Sequence, residues 1–269
     1  MFCEFEAKFV IFLGIQFIYQ EKSMKLDVLA LAAHPDDTEL NCAGTLAVLV
    51  QQGKKVGVVD LTQGEMGTRG TAELRLIEAE NAADILGLAV RENLKLKDTF
   101  LENTREHQLE IIKYIRYYRP EVCFITAPQD RHPDHGKAHN LLKDALFYSG
   151  LRKIETEWNG QKQEAWRPVH VFAYMQDSPF EPDTIFDISS TQEVKEKAIL
   201  AFSSQFNADK DTKEPQTYIS GSDFFEAIRS RARVLGHRIG VEYGEGFLYL
   251  NGPIPMKSLD SYLEFKPKR

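Results

Sequence analysis

The chain has 269 residues, of which 43% are hydrophobic and 27% are charged, so it can bury the core of one compact domain. Acidic residues outnumber basic ones by 40 to 33, which gives a formal net charge of -7 and argues against nucleic acid as a partner. The 3 cysteines form no CxxC pair, so they indicate reduced thiols in a cytoplasmic protein rather than disulfide bonds.

The first 23 residues show no strand, helix or capping pattern of their own. Their apolar stretch, Phe9 to Tyr19, is too short to span a bilayer and lacks the basic start and cleavage pattern of a signal peptide. We therefore predict no membrane association. Because a strand begins directly after Met24, we predict that residues 1–23 are an extension outside the native fold and that residues 24–269 form a single domain.

From Met24 onward, strand and helix patterns alternate. Continuous apolar runs predict strands at 26–33, 54–62 and 121–128. Helical spacing and end punctuation predict helices at 37–53, 71–87, 104–120 and 136–150. In the second of these helices, we expect a buried stripe of Leu74, Ile77, Ala82 and Ile85. The alternation predicts a Rossmann-like α/β fold, in which a mostly parallel sheet is covered by helices on both faces.

The second half of the chain predicts an elaborated C-terminal part. Strand patterns lie at 169–177, 184–189 and 245–250. Helical patterns lie at 191–205 and 222–236. The polar segment 206–221, which contains proline and glycine, predicts a surface loop or a lid.

Three polar clusters follow predicted strands: HPDD at 34–37, QGEMGTRG at 63–70 and RHPDHG at 131–136. Ligands of open α/β sheets collect at the carboxyl ends of the strands, so we expect these clusters to meet there. Two histidines and one aspartate are typical ligands of catalytic zinc, which lowers the pKa of a bound water toward about 7. A second carboxylate beside the ligands can act as a general base.

Two alternatives compete with this interpretation. Asp36, Asp37 or Asp134 could simply cap a helix. His135 and His139 are also spaced so that both could bind one zinc from a single helix face. We favour His135 as the ligand, because Gly136 predicts that the helix begins only after it.

The stretches AAHPDDTELNCAGTLA, DLTQGEMGTRGT and DRHPDHGKA resemble the LmbE-like, PIG-L type N-acetylglucosaminyl deacetylases. Among these, the motif sequences are most similar to those of the deacetylases of bacillithiol biosynthesis, which act on N-acetylglucosaminyl-malate. The resemblance runs from Met24 to near the C-terminus. It implies that His34, Asp37 and His135 hold Zn²⁺, with Fe²⁺ as the alternative metal.

The resemblance also implies the catalytic roles. Asp36 would be the general base that later protonates the leaving amine. His132 would be the charged group that stabilises the tetrahedral oxyanion, and Asp134 would orient it. Arg69 would contact the substrate, since a guanidinium suits the malate carboxylate. Glu65 and Met66 are further candidates for the substrate pocket.

The resemblance thus implies a zinc-dependent deacetylase that hydrolyses the 2-acetamido group of N-acetylglucosaminyl-malate. A small-molecule glucosaminide is the expected partner, and the resemblance implies a homo-oligomer. Three alternatives stay open: another N-acyl sugar or thiol-conjugate substrate, redox chemistry on ferrous iron, and a Rossmann-like sugar- or nucleotide-binding protein without catalysis. The QGEMGTRG loop lacks the GxGxxG spacing of dinucleotide-binding proteins, which argues against the last alternative.

Overall fold

The computed structural model describes residues 24–206 and 215–253, together with Ser258 and Asp260. The predicted extension at 1–23 and the central part of the predicted lid, 207–214, lie outside the described residues. Among those described, no helix is both long and apolar enough to cross a membrane.

A seven-stranded sheet forms the centre of the fold, and its strands have the order β3-β2-β1-β4-β7-β9-β8. The strands are β1 (Val28–Ala32), β2 (Val56–Thr62), β3 (Val90–Leu96), β4 (Val122–Ile125), β7 (His170–Tyr174), β8 (Thr184–Asp187) and β9 (Gly244–Tyr249), with a separate hairpin of β5 (Glu157–Trp158) and β6 (Gln161–Lys162). The pairs from β3 to β7 are parallel, whereas β9 runs antiparallel to both β7 and β8. The mostly parallel sheet that the sequence predicts is therefore confirmed.

Helices cover both faces of the sheet. They are α1 (Asp37–Asn41), α2 (Ala43–Gln51), α3 (Ala72–Leu86), α4 (Arg105–Tyr118), α5 (Pro133–Tyr148), α6 (Gln192–Ala201), α7 (Ser203–Phe206) and α8 (Ser222–Arg238). Alternate residues of β1 point to opposite faces. Leu29 and Leu31 pack in the core that includes Ile115 of α4, whereas Val28 packs in the core that includes Leu46 of α2.

Four features of the secondary structure differ from the sequence-based expectation. The helix predicted at 191–205 is divided at Phe202, whose ψ of 60° is not helical. The helix predicted at 37–53 is divided at Cys42, whose φ of -140° is not helical. α5 begins at Pro133 rather than after His135, because His132 caps it and Pro133 suits the first turn. β3 and the β5–β6 hairpin were not predicted, since their sequences carry few consecutive apolar residues.

The buried stripe predicted on α3 is wrong. Leu74, Ile77 and Ile85 are exposed, and only Ala82 of the predicted set is buried. The helix instead buries a face that includes Arg75 and Glu78. Glu78 accepts hydrogen bonds from Ser203 and Ser204 of α7, and the same face carries Ala79, Ala82 and Leu86, which pack in an apolar core. Polar and apolar contacts with neighbouring elements together accompany this rotation of the helix.

The sheet order places a switch point between β1 and β4. From β1 the chain proceeds outward through β2 and β3, and it then returns to place β4 on the other side of β1. The crevice at the carboxyl ends of such a pair is where open α/β sheets bind ligands. The two histidine-containing clusters follow these two strands.

Candidate metal and catalytic site

The HPDD and RHPDHG clusters meet at the switch point. His34 lies just beyond β1, and His132 and His135 lie at the start of α5, which follows β4. The ring centroids of the three histidines are between 4.8 and 5.4 Å apart. Ligand atoms of all three come within 4.8 Å of one another, a spacing that a single metal ion can bridge.

Helix capping does not account for the aspartates of these clusters. Asp36 is at the N-cap of α1, but its side chain makes no capping hydrogen bond. Its φ of 109° is one that residues other than glycine rarely adopt, and strain of this kind is typical of functional sites. At α5 the cap is His132, whose Nδ1 accepts from the backbone N–H of Asp134.

The carboxylate of Asp37 bridges two imidazoles. Its Oδ1 lies 3.0 Å from Nε2 of His135, and its Oδ2 lies 3.5 Å from Nδ1 of His34. The same Oδ2 accepts the backbone N–H of His34 at 2.9 Å, which fixes the carboxylate against the end of β1. Asp37 therefore contacts both imidazoles, and one carboxylate with two imidazoles is a ligand set typical of catalytic zinc.

His139 does not belong to this cluster. It is buried, and its Nδ1 lies 2.8 Å from the carbonyl oxygen of Thr126. The structure therefore separates His139 from His135 even though both lie on α5. The predicted helix start after His135, on which the preference for His135 was based, is wrong, because α5 begins at Pro133.

Asp36 lies beside an open cavity of about 330 Å³ that the histidines also line. Its Oδ2 is 3.7 Å from Nη1 of Arg75, whose Nη2 donates to Oε1 of Gln205. Burial raises the pKa of Asp36 to about 7, although the charge of Arg75 opposes this shift. The two adjacent aspartates thus have different surroundings, since Asp37 contacts imidazoles and Asp36 contacts a guanidinium at the cavity.

The surroundings of His132 disfavour the positive charge that the resemblance implies for it. Burial and the charges of His34 and His135 lower its pKa, and the charged role of His132 stays a prediction. Because Nδ1 accepts the N–H of Asp134 at 3.3 Å, the neutral ring carries its proton on Nε2. His132 can therefore donate a hydrogen bond from Nε2 without a positive charge.

Asp134 contacts His132 through its backbone rather than its carboxylate. The carboxylate Oδ2 accepts the backbone N–H of Thr99 at 2.8 Å and lies 3.6 Å from Nε2 of His34. Lys137 donates to Oδ1 at 3.2 Å. An orienting role of the Asp134 carboxylate toward His132 stays a prediction.

Sequence reasoning missed three polar residues of the site. Asp98, in the loop after β3, places Oδ1 at 3.2 Å from Nε2 of His34. Asp130, in the loop after β4, places Oδ2 at 2.6 Å from Nδ1 of His135. Gln176, just beyond β7, donates to Oδ1 of Asp37 at 3.3 Å. For Asp130, its place within DRHPDHG was the one sequence feature that could have indicated a role.

The predicted substrate contacts divide into two groups. Met66 lines the cavity and is 62% exposed, whereas Glu65 and Arg69 are not part of its lining. Arg69 is buried and donates from Nε to the carbonyl oxygen of Ser204 at 3.0 Å. Among the described residues, the arginines that do line the cavity are Arg75 and Arg131. The substrate roles of Arg69, Glu65 and Met66 stay predictions.

The electrostatics of the cluster fit a bound cation. Burial alone would lower the pKa of His34, but its contacts with Asp134, Asp37 and Asp98 raise it well above its ordinary value. Burial likewise opposes a charge on His135, yet the carboxylate of Asp37 raises the pKa of that ring to about 9. Nε2 of His34, which faces Asp98 and Asp134 rather than Asp37, is buried and makes no well-aligned hydrogen bond within the described residues. Carboxylates that stabilise positive charge on imidazoles would equally stabilise a divalent metal.

Comparison with known proteins identifies relatives of this chain. Residues 29–146 match the model of the family described as PIG-L, GlcNAc-PI de-N-acetylase. The chain is 30% identical over 236 residues to the diacetylchitobiose deacetylase of Thermococcus kodakarensis, a match that covers 84% of this chain and 83% of the relative.

Two solved structures are similar over most of their length. The conserved protein TT1542 from Thermus thermophilus has a TM-score of 0.75 and 38% identity, and the match covers 87% of this chain and 97% of that one. The N,N'-diacetylchitobiose deacetylase from Pyrococcus horikoshii has a TM-score of 0.68 and 28% identity, and the match covers 87% of each chain.

Proposed function

The chain belongs to the PIG-L family of de-N-acetylases and is a hydrolase that acts on an amide, and from this premise we propose that it is a zinc-dependent deacetylase of N-acetylglucosaminyl-malate. The finer parts of the proposal are the metal and the malate aglycone. The pathway would be bacillithiol biosynthesis, and the cytoplasm and a homo-oligomer are the predicted location and assembly.

One observation carries the proposal: two adjacent, buried aspartates with different partners lie at the cavity between β1 and β4. Asp37 lies against the imidazoles of His34 and His135. Asp36 lies beside the cavity and contacts Arg75. This arrangement suits a site in which one carboxylate binds a metal and its neighbour transfers protons.

We assign the metal to His34, Asp37 and His135. Among the described residues, two other groups bring their ligand atoms within 4.8 Å of one another: the three imidazoles, and His34 with Asp98 and Asp134. We prefer Asp37 because its two oxygens face both His34 and His135, whereas the Nε2–H of His132 suits hydrogen-bond donation. A zinc ion at these ligands would polarise the amide carbonyl and increase the acidity of a water molecule.

The side chains around the metal can then complete amide hydrolysis. Asp36 accepts a proton from the water whose oxygen attacks the carbonyl carbon. His132 donates a hydrogen bond from Nε2 to the carbonyl oxygen as that oxygen gains negative charge. Asp36 returns the proton to the amide nitrogen, the carbon–nitrogen bond breaks, and acetate and the free amine of the glucosamine leave.

Arg75 and Arg131 support an anionic aglycone. They are the arginines that line the cavity among the described residues, and a guanidinium can bind a carboxylate through two parallel hydrogen bonds. Both are paired, Arg131 with Asp177 at 2.9 Å and Arg75 with Asp36 at 3.7 Å, and we assign the substrate contact to Arg75 because it lies beside the proposed proton-transferring carboxylate. This differs from the sequence-based prediction, which gave the role to Arg69.

The test is acetate release by the purified protein from three substrates: N-acetylglucosaminyl-malate, free N-acetylglucosamine and N,N'-diacetylchitobiose. Each reaction is run untreated, after chelation, and after chelation followed by zinc or, without oxygen, by ferrous iron. We expect fast release from the malate conjugate that chelation abolishes and zinc restores.

Other results would revise the proposal in defined ways. Preferential release from diacetylchitobiose would reject the malate aglycone and retain the deacetylase. Restoration by ferrous iron alone would reject zinc. Release from none of the three by protein that contains stoichiometric metal would reject N-acetylglucosaminides as the substrate class.

A further inference from the structure

The environment of His135 contains two polar groups that compete for the same ring nitrogen. Oδ2 of Asp130 lies 2.6 Å from Nδ1 of His135, and the amide nitrogen of Gln176 lies 2.9 Å from that same atom. A carboxylate can only accept a hydrogen bond there, whereas an amide nitrogen can only donate one. The two neighbours therefore favour opposite tautomers of the imidazole.

The orientation of Gln176 is fixed by its other contacts. Its Oε1 accepts the backbone N–H of Ala127 at 2.9 Å, so the amide nitrogen must face the site. That nitrogen has an alternative acceptor in Oδ1 of Asp37 at 3.3 Å. With Asp130 present, Gln176 can donate to Asp37 while the proton on Nδ1 of His135 is directed to Asp130.

Asp130 is itself held in place. Its side chain is fully buried, and its Oδ1 accepts the backbone N–H of Ser178 at 2.6 Å. The remaining oxygen, Oδ2, is the one that contacts His135. A short contact to an ionised carboxylate keeps the proton on Nδ1, so the lone pair of the neutral ring is on Nε2. Nε2 is the atom that faces Asp37, at 3.0 Å.

We propose that Asp130 is a positioning residue: it holds His135 in the Nδ1–H tautomer, against the influence of Gln176, so that Nε2 is free to bind the metal. This inference rests on the proposed function only in taking His135 as a metal ligand. Removing Asp130 leaves the Gln176 amide as the polar neighbour of Nδ1 and favours a proton on Nε2, which would block ligation.

The experiment measures zinc affinity rather than deacetylation. Zinc dissociation constants are determined by competition with a chromophoric chelator for the unsubstituted protein, Asp130→Ala, Asp130→Asn and Asp130→Glu. Asp144→Asn is the matched control, since Asp144 is an exposed carboxylate that pairs with Asn103 and does not line the cavity. Changes to carboxylates behind ligating histidines typically cost about 10-fold to 100-fold in metal affinity.

We expect Asp130→Ala to weaken zinc binding by about 10-fold to 100-fold, Asp130→Glu to restore part of the loss, and the control to bind normally. In the zinc-loaded protein, the hydrogen-bonded Nδ1–H of His135 should give a downfield proton resonance that disappears in Asp130→Ala. Circular dichroism and thermal unfolding of the metal-free variants identify any that fail to fold. If Asp130→Ala fails to fold, Asp130→Asn replaces it in the comparison, because asparagine preserves the side-chain volume.

A folded Asp130→Ala or Asp130→Asn variant whose zinc dissociation constant stays within about twofold of the original, well short of the usual loss, would overturn the inference. Loss of affinity that Asp130→Glu does not reduce, with the downfield resonance still present, would also overturn it, because the effect would then be general destabilisation. An unsubstituted protein that binds no zinc would overturn both this inference and the proposed metal. Failure of every tested substrate, with the expected affinities, would reject the proposed substrate alone.

Discussion

Asp36 and Arg75 face each other at the cavity, with Oδ2 and Nη1 separated by 3.7 Å. Asp36 follows β1 and Arg75 lies in the first turn of α3, so the fold joins two segments that the sequence keeps apart. Gln205 accepts a further hydrogen bond from Arg75 and so holds the guanidinium in place. The carboxylate proposed to transfer protons and the guanidinium proposed to bind substrate thereby share one wall of the site.

Asp36→Ala should reduce turnover by at least about 100-fold, since general acid–base groups typically contribute about 10²-fold to 10⁴-fold. Zinc content should stay near that of the unsubstituted protein, because Asp36 is not one of the proposed ligands. His135→Ala should instead lose metal. Activity assays and elemental analysis of both variants check this, and equal metal loss in the two would reverse the assigned roles of Asp36 and Asp37.

Arg75→Leu should lower kcat/KM by about 10-fold to 100-fold, because a hydrogen bond to a charged group contributes about 1.5–3 kcal/mol. The comparison is Arg69→Leu, which changes a buried arginine outside the cavity lining. Steady-state kinetics on the malate conjugate distinguish them once both are shown to fold. A larger rise in KM for Arg69→Leu than for Arg75→Leu would favour the sequence-based assignment.

Arg91→Met should destabilise the fold by about 3–5 kcal/mol, the usual cost of removing one partner from a buried ion pair. Arg91 donates to Glu39 at 2.5 Å and to Asp60 at 2.9 Å, and all three side chains are almost completely buried. The substitution leaves two carboxylates without their cation behind the helix that carries Asp37. Urea unfolding measures the change.

The exposed ion pair of Lys25 and Glu121 provides the control for that experiment. Lys25→Met should alter the free energy of unfolding by no more than about 1 kcal/mol, because solvent screens surface pairs. Similar losses in the two variants would show that burial of the Arg91 cluster has no special effect on stability.

Chelation should lower the thermal stability of the protein, and zinc should restore it. A ligand present at about 100 times its dissociation constant stabilises the folded state by about 2.7 kcal/mol. Thermal unfolding with and without chelator measures the shift, and His135→Ala should show a much smaller one. A chelator effect of the same size in His135→Ala would place the metal elsewhere.

The sequence by itself determined the α/β class, every strand of the central sheet except β3, and the identity of the histidine- and aspartate-containing clusters. The physical reason is that these features are local. A buried parallel strand is a continuous apolar run, and the ends of such strands are where polar residues of a site must lie. The HPDD and RHPDHG clusters could therefore be assigned to one edge of the sheet before their distance was known.

Only the tertiary structure decided which side chains face the proposed metal ligands. Asp98 and Gln176 carry no pattern that distinguishes them from other loop residues, and Asp130 is marked only by its place within DRHPDHG. The fold brings the three together from separate loops. The rotation of α3 was likewise set by contacts across the fold, which buried Arg75 and left Leu74 exposed. Hydrophobic periodicity records the average preference of a helix for the core, whereas the site depends on individual polar contacts between segments distant in the chain.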